Sequence, residues 1–238
     1  MGKKGPNKKF LLGIAVAVLV PLFCYLVTNQ FSKGAVKMPR YYVVEKVDSV
    51  VEKGKPAGDT IYHRTSDLVL TNQLGKRVSL DSDLKGKILV VGFFFTNCPS
   101  ICPRLTGTMK LLQNGFKKDT KKETQLDTVM QLISITVNPE RDTFPVMRAY
   151  ADRFGVNHDH WWFLTGDKKA IYNFARNDLQ LTVGPGDGGA DDFIHTEMIT
   201  LIDKDRYVRG YYNGLDSNDV NKCAEDIVLL TQEWKHKK

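Results

Sequence analysis

The amino-acid sequence predicts an α/β fold, and three observations carry this prediction. Two apolar runs without alternation, at 87–95 and 129–137, are typical of central strands covered on both faces. A helical pattern follows each run. Two further strands and a last helix come later, which gives the order strand, helix, strand, helix, strand, strand, helix. This order is that of a thioredoxin-like domain with extra segments.

The length and charge of the chain limit what it can be. Its 238 residues, 42% of them hydrophobic, have room for one typical domain and a short attachment segment. The net charge is +7, but lysines in the two terminal tails account for seven positive charges. A nucleic-acid-binding protein needs a basic face on its folded body, so we expect no nucleic-acid partner.

A membrane anchor is predicted near the N-terminus. Residues 10–27 form a stretch of eighteen residues without a charge, which nearly matches the hydrocarbon core as a helix. The lysines before it predict a cytoplasmic basic tail over 1–9 and an inner-membrane protein whose C-terminal domain faces the periplasm or an equivalent space. A cleaved signal peptide is the alternative, but its apolar region spans only ~7–15 residues.

Two segments follow the predicted anchor. Residues 28–58 are interpreted as a juxtamembrane linker that continues into an irregular segment or an edge strand. Residues 59–238 are interpreted as the thioredoxin-like domain, which begins with an extra β-hairpin over 68–80.

The elements of the domain are predicted from hydrophobic periodicity and helix-capping residues. A helix is expected to begin around Pro99 or Ile101, with its apolar pattern after Pro103, and another is expected over 144–154 with Asp142 or Thr143 as its N-cap. The remaining predictions are a strand at 161–164, a helix at 168–177, strands at 196–202 and 207–211, and a helix from Ser217.

Two of the four cysteines carry the candidate chemistry. Cys98 and Cys102 lie where the first central strand runs into a helix, so both sulfurs can converge on one ion, and the helix N-terminus favours thiolates. A plain disulfide or two inert buried thiols are the alternatives. Cys24 and Cys223 are interpreted as small buried apolar residues.

A third ligand would distinguish a metal site from a redox pair. Soft thiolates select Cu(I), and an added imidazole gives a three-coordinate site that also serves Cu(II). Among the five histidines, His195 follows a glycine-rich loop and precedes a strand that such a sheet brings near the cysteines. The others are interpreted as structural or surface residues: His63, His158, His160 and His236.

Several motifs together resemble the Sco/SenC family. They are Cys-Pro-Ser-Ile-Cys-Pro at 98–103, Asn-Pro-Glu-Arg-Asp-Thr at 138–143, Trp-Phe-Leu-Thr-Gly at 162–166, and His195 before its strand. The resemblance covers roughly residues 60–235. It implies copper held by Cys98, Cys102 and His195, and delivery to the copper-bearing subunit of cytochrome c oxidase. It also implies reduction of that centre's cysteines as a further role.

The sequence departs from the family pattern at Asn138, where an aspartate is common, so a function that needs this carboxylate is in doubt. An extracytoplasmic thiol-disulfide oxidoreductase is the main alternative to a copper chaperone, since it needs both cysteines but not His195. A peroxidase is a third alternative. It does not fit, because Thr96 stands two residues before Cys98 rather than three.

Overall fold

The computed structural model describes residues 8–32, 39–52, 55–116, 129–181 and 196–236. The chain divides after Met38 into two compact units. The first contains helix α1, Lys8–Ser32, which includes the apolar stretch predicted as an anchor. Within the part of the chain that the structure describes, no helix is long and apolar enough to cross a membrane. The span over 10–27 therefore stays a prediction.

The second unit is a mixed α/β domain. Its strands are β1 Val44–Glu52, β2 Lys55–Tyr62, β3 Val69–Asn72, β4 Arg77–Ser79, β5 Ile88–Phe94, β6 Met130–Thr136, β7 Trp161–Thr165, β8 Met198–Ile202 and β9 Val208–Asn213. Its helices are α2 Ile101–Gly115, α3 Phe144–Arg153, α4 Lys168–Asn173 with a π-helical turn Phe174–Asp178, and α5 Ser217–His236.

Seven of these strands form one sheet in the order β4-β3-β7-β6-β5-β8-β9. β5 runs parallel to β6, and β6 runs parallel to β7, whereas β8 and β9 form an antiparallel hairpin at the other side of β5. Every residue of β5 and β6 is buried, as predicted for central strands. The arrangement confirms the predicted thioredoxin-like order.

The core lies on both faces of this sheet because alternate residues of each strand point to opposite sides. Leu89, Val91 and Phe93 of β5 pack with α4 and its π-helical turn. Ile88 and Val90 of the same strand pack with α2, α3 and α5 on the opposite face. Each central strand is therefore buried along its whole length.

Two local features differ from the sequence interpretation. A two-stranded antiparallel hairpin, β1–β2, occupies the region predicted as an irregular segment or an edge strand. The alternation of Val with polar residues is weak there, so the pairing is not evident from the pattern. The helix predicted over 168–177 changes to π-helical geometry after Asn173. Helix α2 begins at Ile101, as the sequence predicts.

A buried arginine holds the start of the second unit against the sheet. Arg209 of β9 donates to the Pro39 carbonyl at 2.7 Å and to Asp203 at 2.9 Å, and its guanidinium also reaches Glu233 of α5 at 3.0 Å. The Tyr41 ring lies 4.3 Å from the guanidinium carbon. These contacts place Pro39, the first residue of the second unit, at the β9 edge of the sheet.

The parallel pairing of β5 and β6 positions the candidate site. Phe94 and Thr136, the last residues of these strands, are paired in register. The loops that follow them therefore leave the same edge of the sheet side by side. One loop carries the cysteines and the other carries the motif at 138–143.

Candidate metal centre

The two cysteines are joined by the first turn of α2. The Cys98 amide donates to the Phe95 carbonyl at 3.2 Å, which closes a tight turn after β5. The Cys102 amide then donates to the Cys98 sulfur at 3.3 Å. Ser100 occupies the N-cap position but makes no side-chain cap hydrogen bond. The Cys98 sulfur thus accepts one of the amide protons that a helix start leaves without a partner.

This geometry makes the two thiols unequal. Partial burial by itself raises the pKa of the Cys98 thiol, but hydrogen bonds from the amides of residues 100–102 and from the Cys102 side chain hold that pKa below its ordinary value. Burial, together with the hydrogen bond to Cys98, raises the pKa of Cys102 to about 12. In the reduced, metal-free pair, Cys98 is therefore the thiol that ionises more readily, and Cys102 keeps its proton at neutral pH.

The buried carboxylate of Asp142 holds the cysteine loop in place through hydrogen bonds. Asp142 is completely buried, and it accepts hydrogen bonds from the Thr96 amide at 3.0 Å and from the Thr96 hydroxyl at 2.5 Å. The Thr136 hydroxyl donates to the same carboxylate at 2.5 Å. Because Thr96 stands two residues before Cys98, Asp142 ties the end of β6 to the loop that presents the thiol.

The sequence offered Asp142 or Thr143 as the N-cap of α3, and the structure selects Thr143. Thr143 occupies that position, and the Asp142 side chain turns towards the loop after β5. Asp142 belongs to the motif at 138–143, which the sequence already marks as similar to the family. However, the direction of the side chain depends on the pairing of β5 with β6, which the local pattern does not contain.

A second set of contacts fixes Cys102. The Thr106 hydroxyl donates to the Cys102 carbonyl at 2.8 Å and lies 2.9 Å from the Tyr150 hydroxyl of α3. Burial raises the pKa of Tyr150 to about 12, so the phenol stays neutral. The Tyr150 ring packs on Phe94, with ring centroids 5.4 Å apart. Cys102 itself is buried, and Cys98 is half-buried.

The remaining cysteines lie elsewhere, and all four thiols of the chain are free. Cys223 is buried in α5, as the sequence predicts. Cys24 is exposed on α1, so the prediction that it is buried is wrong for this helix taken by itself. In this structure Cys98 and Cys102 are both free thiols, and Cys98 is half-buried.

Among the candidate metal ligands, the structure brings Cys98 and Cys102 together, whereas His195 lies outside the described residues. The described residues contain no group of three or more His, Cys, Asp or Glu that could hold a metal ion. Two sulfurs one helical turn apart, one of them half-buried and more readily ionised, nevertheless suit a soft ion such as Cu(I).

Two of the other histidines, His63 and His158, contact residues of neighbouring elements. His63 contacts Asp178 of the π-helical turn at 3.1 Å. His158 lies 2.9 Å from both the Gln73 amide nitrogen and an Asp152 oxygen. Its ring therefore connects the β3–β4 hairpin to α3, which is consistent with a structural role rather than a surface one.

Comparison with known proteins identifies a family and relatives that this sequence resembles. The sequence model of the SCO1/SenC family matches residues 59–232. The SCO1 protein homolog of Bacillus subtilis is 31% identical over 175 residues, which cover 73% of this chain and 86% of the relative. The mitochondrial SCO2 homolog of the mouse is 32% identical over 149 residues, 62% of this chain and 53% of that protein.

Solved structures resemble the domain as well. A SCO1/SenC family lipoprotein of Bacillus anthracis has a TM-score of 0.59 at 29% identity, covering 71% of this chain and 95% of that one. BsSco, described as a member of the Sco family of cytochrome c oxidase assembly proteins, has a TM-score of 0.58 at 31% identity, with 71% and 94% covered. Copper-bound ScoI of Bradyrhizobium japonicum has a TM-score of 0.50 at 27% identity, with 69% and 98% covered.

Proposed function

The chain belongs to the SCO1/SenC family, and from that premise we propose that it is a copper chaperone for the assembly of cytochrome c oxidase. The observation that carries the proposal is the cysteine pair. Cys98 offers its sulfur at the start of α2, one turn from Cys102, and both are free. A copper-bound relative and a relative described as an assembly protein support the same function.

The proposed ligands are Cys98, Cys102 and His195. Two thiolates satisfy Cu(I), and an imidazole adds more to Cu(II), which prefers a higher coordination number and harder donors. Since thiolates rather than thiols bind metal, copper displaces the proton that Cys102 holds in the free pair. The ion is cargo, so the site must release it as well as bind it.

The proposed recipient is the copper-bearing subunit of cytochrome c oxidase. Delivery to such a membrane complex requires the domain to stand at the membrane surface on the outer side. The uncharged stretch 10–27, preceded by lysines, supports a single-pass anchor in the inner membrane with the domain in the periplasm or an equivalent space. A reporter fused after Gly34 that is active only in the cytoplasm would contradict this topology.

A second function is favoured by the inequality of the two thiols. A pair with one lowered and one raised pKa suits thiol-disulfide exchange. In that reaction the Cys98 thiolate attacks a partner disulfide, Cys102 then attacks the mixed disulfide, and the partner leaves as a dithiol while this chain becomes the disulfide. The same cysteines would thus reduce a partner and prepare it for copper.

A copper titration separates these functions. The full chain in mild detergent, with its thiols reduced, is titrated with Cu(I) and with Cu(II), and the same is done for His195→Ala. We expect one copper per chain, and a much larger loss of Cu(II) than of Cu(I) affinity in the variant. Intact free thiols that bind no copper would exclude the chaperone. Unchanged Cu(II) affinity in a folded His195→Ala variant would exclude this ligand.

A further inference from the structure

A cleft opens directly beside the cysteine loop. It has a volume of 520 Å³ and lies between that loop, the motif at 138–143 and helix α3. Its lining residues are Thr96, Asn97, Arg141, Val146, Ala149, Tyr150 and Arg153. Thr96 and Asn97 directly precede Cys98 in the chain, so the cleft borders the loop that carries the candidate thiol.

The cleft is cationic. Arg141 and Arg153 are both exposed, and neither guanidinium takes part in an ion pair with any residue that the structure describes. No acidic side chain is among the lining residues. Asp152, the neighbour of Arg153, is paired with Arg148 at 3.0 Å and contacts His158 at 2.9 Å. Two positive charges therefore face the cleft without a carboxylate of their own.

One wall of the cleft is apolar and is formed by helix α3. Val146 of α3 is 40% exposed, and Ala149 lies one turn further along the same helix. The Arg153 guanidinium lies 5.4 Å from the centre of the Tyr150 ring, which limits where it can move. Tyr150 in turn contacts Thr106, whose hydroxyl bonds to the Cys102 carbonyl. Tyr150 therefore lines the cleft and is also connected to Cys102 through Thr106.

We propose that this cleft docks an acidic segment of the protein that receives copper or electrons from the cysteines. The inference deepens the proposed function and rests on it, because it names how the partner is held while its thiols face Cys98. Unpaired guanidiniums recognise carboxylates, and the apolar wall fits a side chain beside them. A volume within the ~300–1,000 Å³ of ligand sites suits several side chains rather than one inorganic ion.

The test uses a cysteine-free probe so that docking is measured apart from exchange and metal transfer. The probe is a fluorescent hexapeptide of alternating Glu and Leu, and its counterpart replaces each Glu with Lys. Binding to the full chain in neutral detergent is followed by fluorescence anisotropy. We expect the acidic peptide to bind at least about tenfold tighter, and to weaken as the ionic strength rises and the Debye length falls below about 10 Å.

Charge reversal locates the site. The double variant Arg141→Glu with Arg153→Glu should lower the affinity for the acidic peptide about tenfold or more. The matched control is Arg77→Glu, an exposed arginine on the edge strand β4, and its affinity should equal that of the wild type. Thermal unfolding checks that each variant is folded. Equal binding of the two peptides, or wild-type affinity in the folded double variant, would overturn the proposal.

Two further measurements test whether the cleft is selective for the peptide and whether it is separate from the copper site. Full displacement of the acidic peptide by millimolar inorganic phosphate would also overturn the proposal, since the cleft would then bind any anion. Copper titration of the double variant should give the wild-type stoichiometry, because neither arginine is a proposed ligand. If copper binding fails in all forms of the chain while the acidic peptide still binds, the proposed function is wrong and the docking cleft stands.

Discussion

Cys98 and Cys223 carry the same thiol in two different surroundings. Cys98 lies half-buried between β5 and α2, where its sulfur accepts an amide hydrogen bond at a helix start. Cys223 is completely buried inside α5, against the face of the sheet that α2 and α3 also cover. Burial raises the pKa of Cys223 to about 12, and the charge of Asp226 adds to this effect. The pKa of Cys98 is lowered.

A neighbouring carboxylate does not explain the difference, because both regions contain one. Asp226 raises the pKa of Cys223, and Asp142 contributes to the raised pKa of Cys102, the partner of Cys98. What distinguishes Cys98 is the set of amide N–H groups that point at its sulfur. Their partial positive charges stabilise a thiolate, whereas a thiol within the middle of a helix meets no free amide. Placement in the fold, rather than residue type, therefore decides the chemistry.

The largest expected effect separates the two cysteines by copper binding. Cys98→Ala should reduce the copper content of the reduced full chain from one per chain to near zero, because a single buried thiol cannot replace a two-sulfur site. Cys223→Ala should leave the copper content unchanged. The ratio of copper to protein after gel filtration is the measurement. Copper retained by a folded Cys98→Ala variant would contradict the assignment.

Alkylation of the metal-free, reduced chain provides the next contrast. At neutral pH iodoacetamide should modify Cys98 ~100-fold or more faster than Cys223, which requires opening of the domain to react. Since the thiolate is the nucleophile, the Cys98 rate should rise with pH and level off at a lower pH than that of a free cysteine. Mass spectrometry of digested samples follows each site. A Cys98 rate still rising steeply above the ordinary thiol pKa would show that the amides do not stabilise it.

The buried carboxylates Asp142 and Asp226 allow a further comparison of the regions around Cys98 and Cys223. Asp142→Ala leaves the Thr96 and Thr136 donors without their acceptor, which should cost about 1–3 kcal/mol of unfolding free energy. It should also change the alkylation rate of Cys98, since the loop loses its anchor. Asp226→Ala removes the acceptor of the Tyr212 hydroxyl and serves as the control.

That control should lose a similar amount of stability but keep the wild-type Cys98 rate. Urea unfolding and alkylation measured on the same samples separate the two effects. An Asp142→Ala variant with an unchanged Cys98 rate would mean that the carboxylate acts on stability alone.

The smallest expected effect concerns Cys223 as a core residue. Cys223→Ala removes one buried sulfur beside Ile227 and should cost about 1 kcal/mol, near the lower end of costs for cavities in a packed core. Thermal unfolding of metal-free protein is the measurement. A loss far above this, or a change in copper content, would mean that Cys223 does more than fill space.

Much of the fold followed from the sequence because its signals are local. The apolar runs at 88–94 and 130–136 are covered on both faces, and such strands contain no polar alternation to obscure them. The thioredoxin-like order and the strand-to-helix position of Cys98 follow from them. The hairpin β1–β2 and the π-helical turn after Asn173 were not predicted, since neither has a distinct local pattern.

The sequence by itself determined the type of element at each place, the position of the cysteines at a helix start and the resemblance to one family, because each of these depends on neighbours within a few residues. Tertiary structure alone decided which side chains meet at that site. Asp142 reaches Thr96 only because β5 pairs with β6, and Arg153 lines the same cleft as Asn97 only because α3 packs beside the cysteine loop. Contacts between residues far apart in sequence are set by packing of the whole sheet, and a local pattern does not encode them.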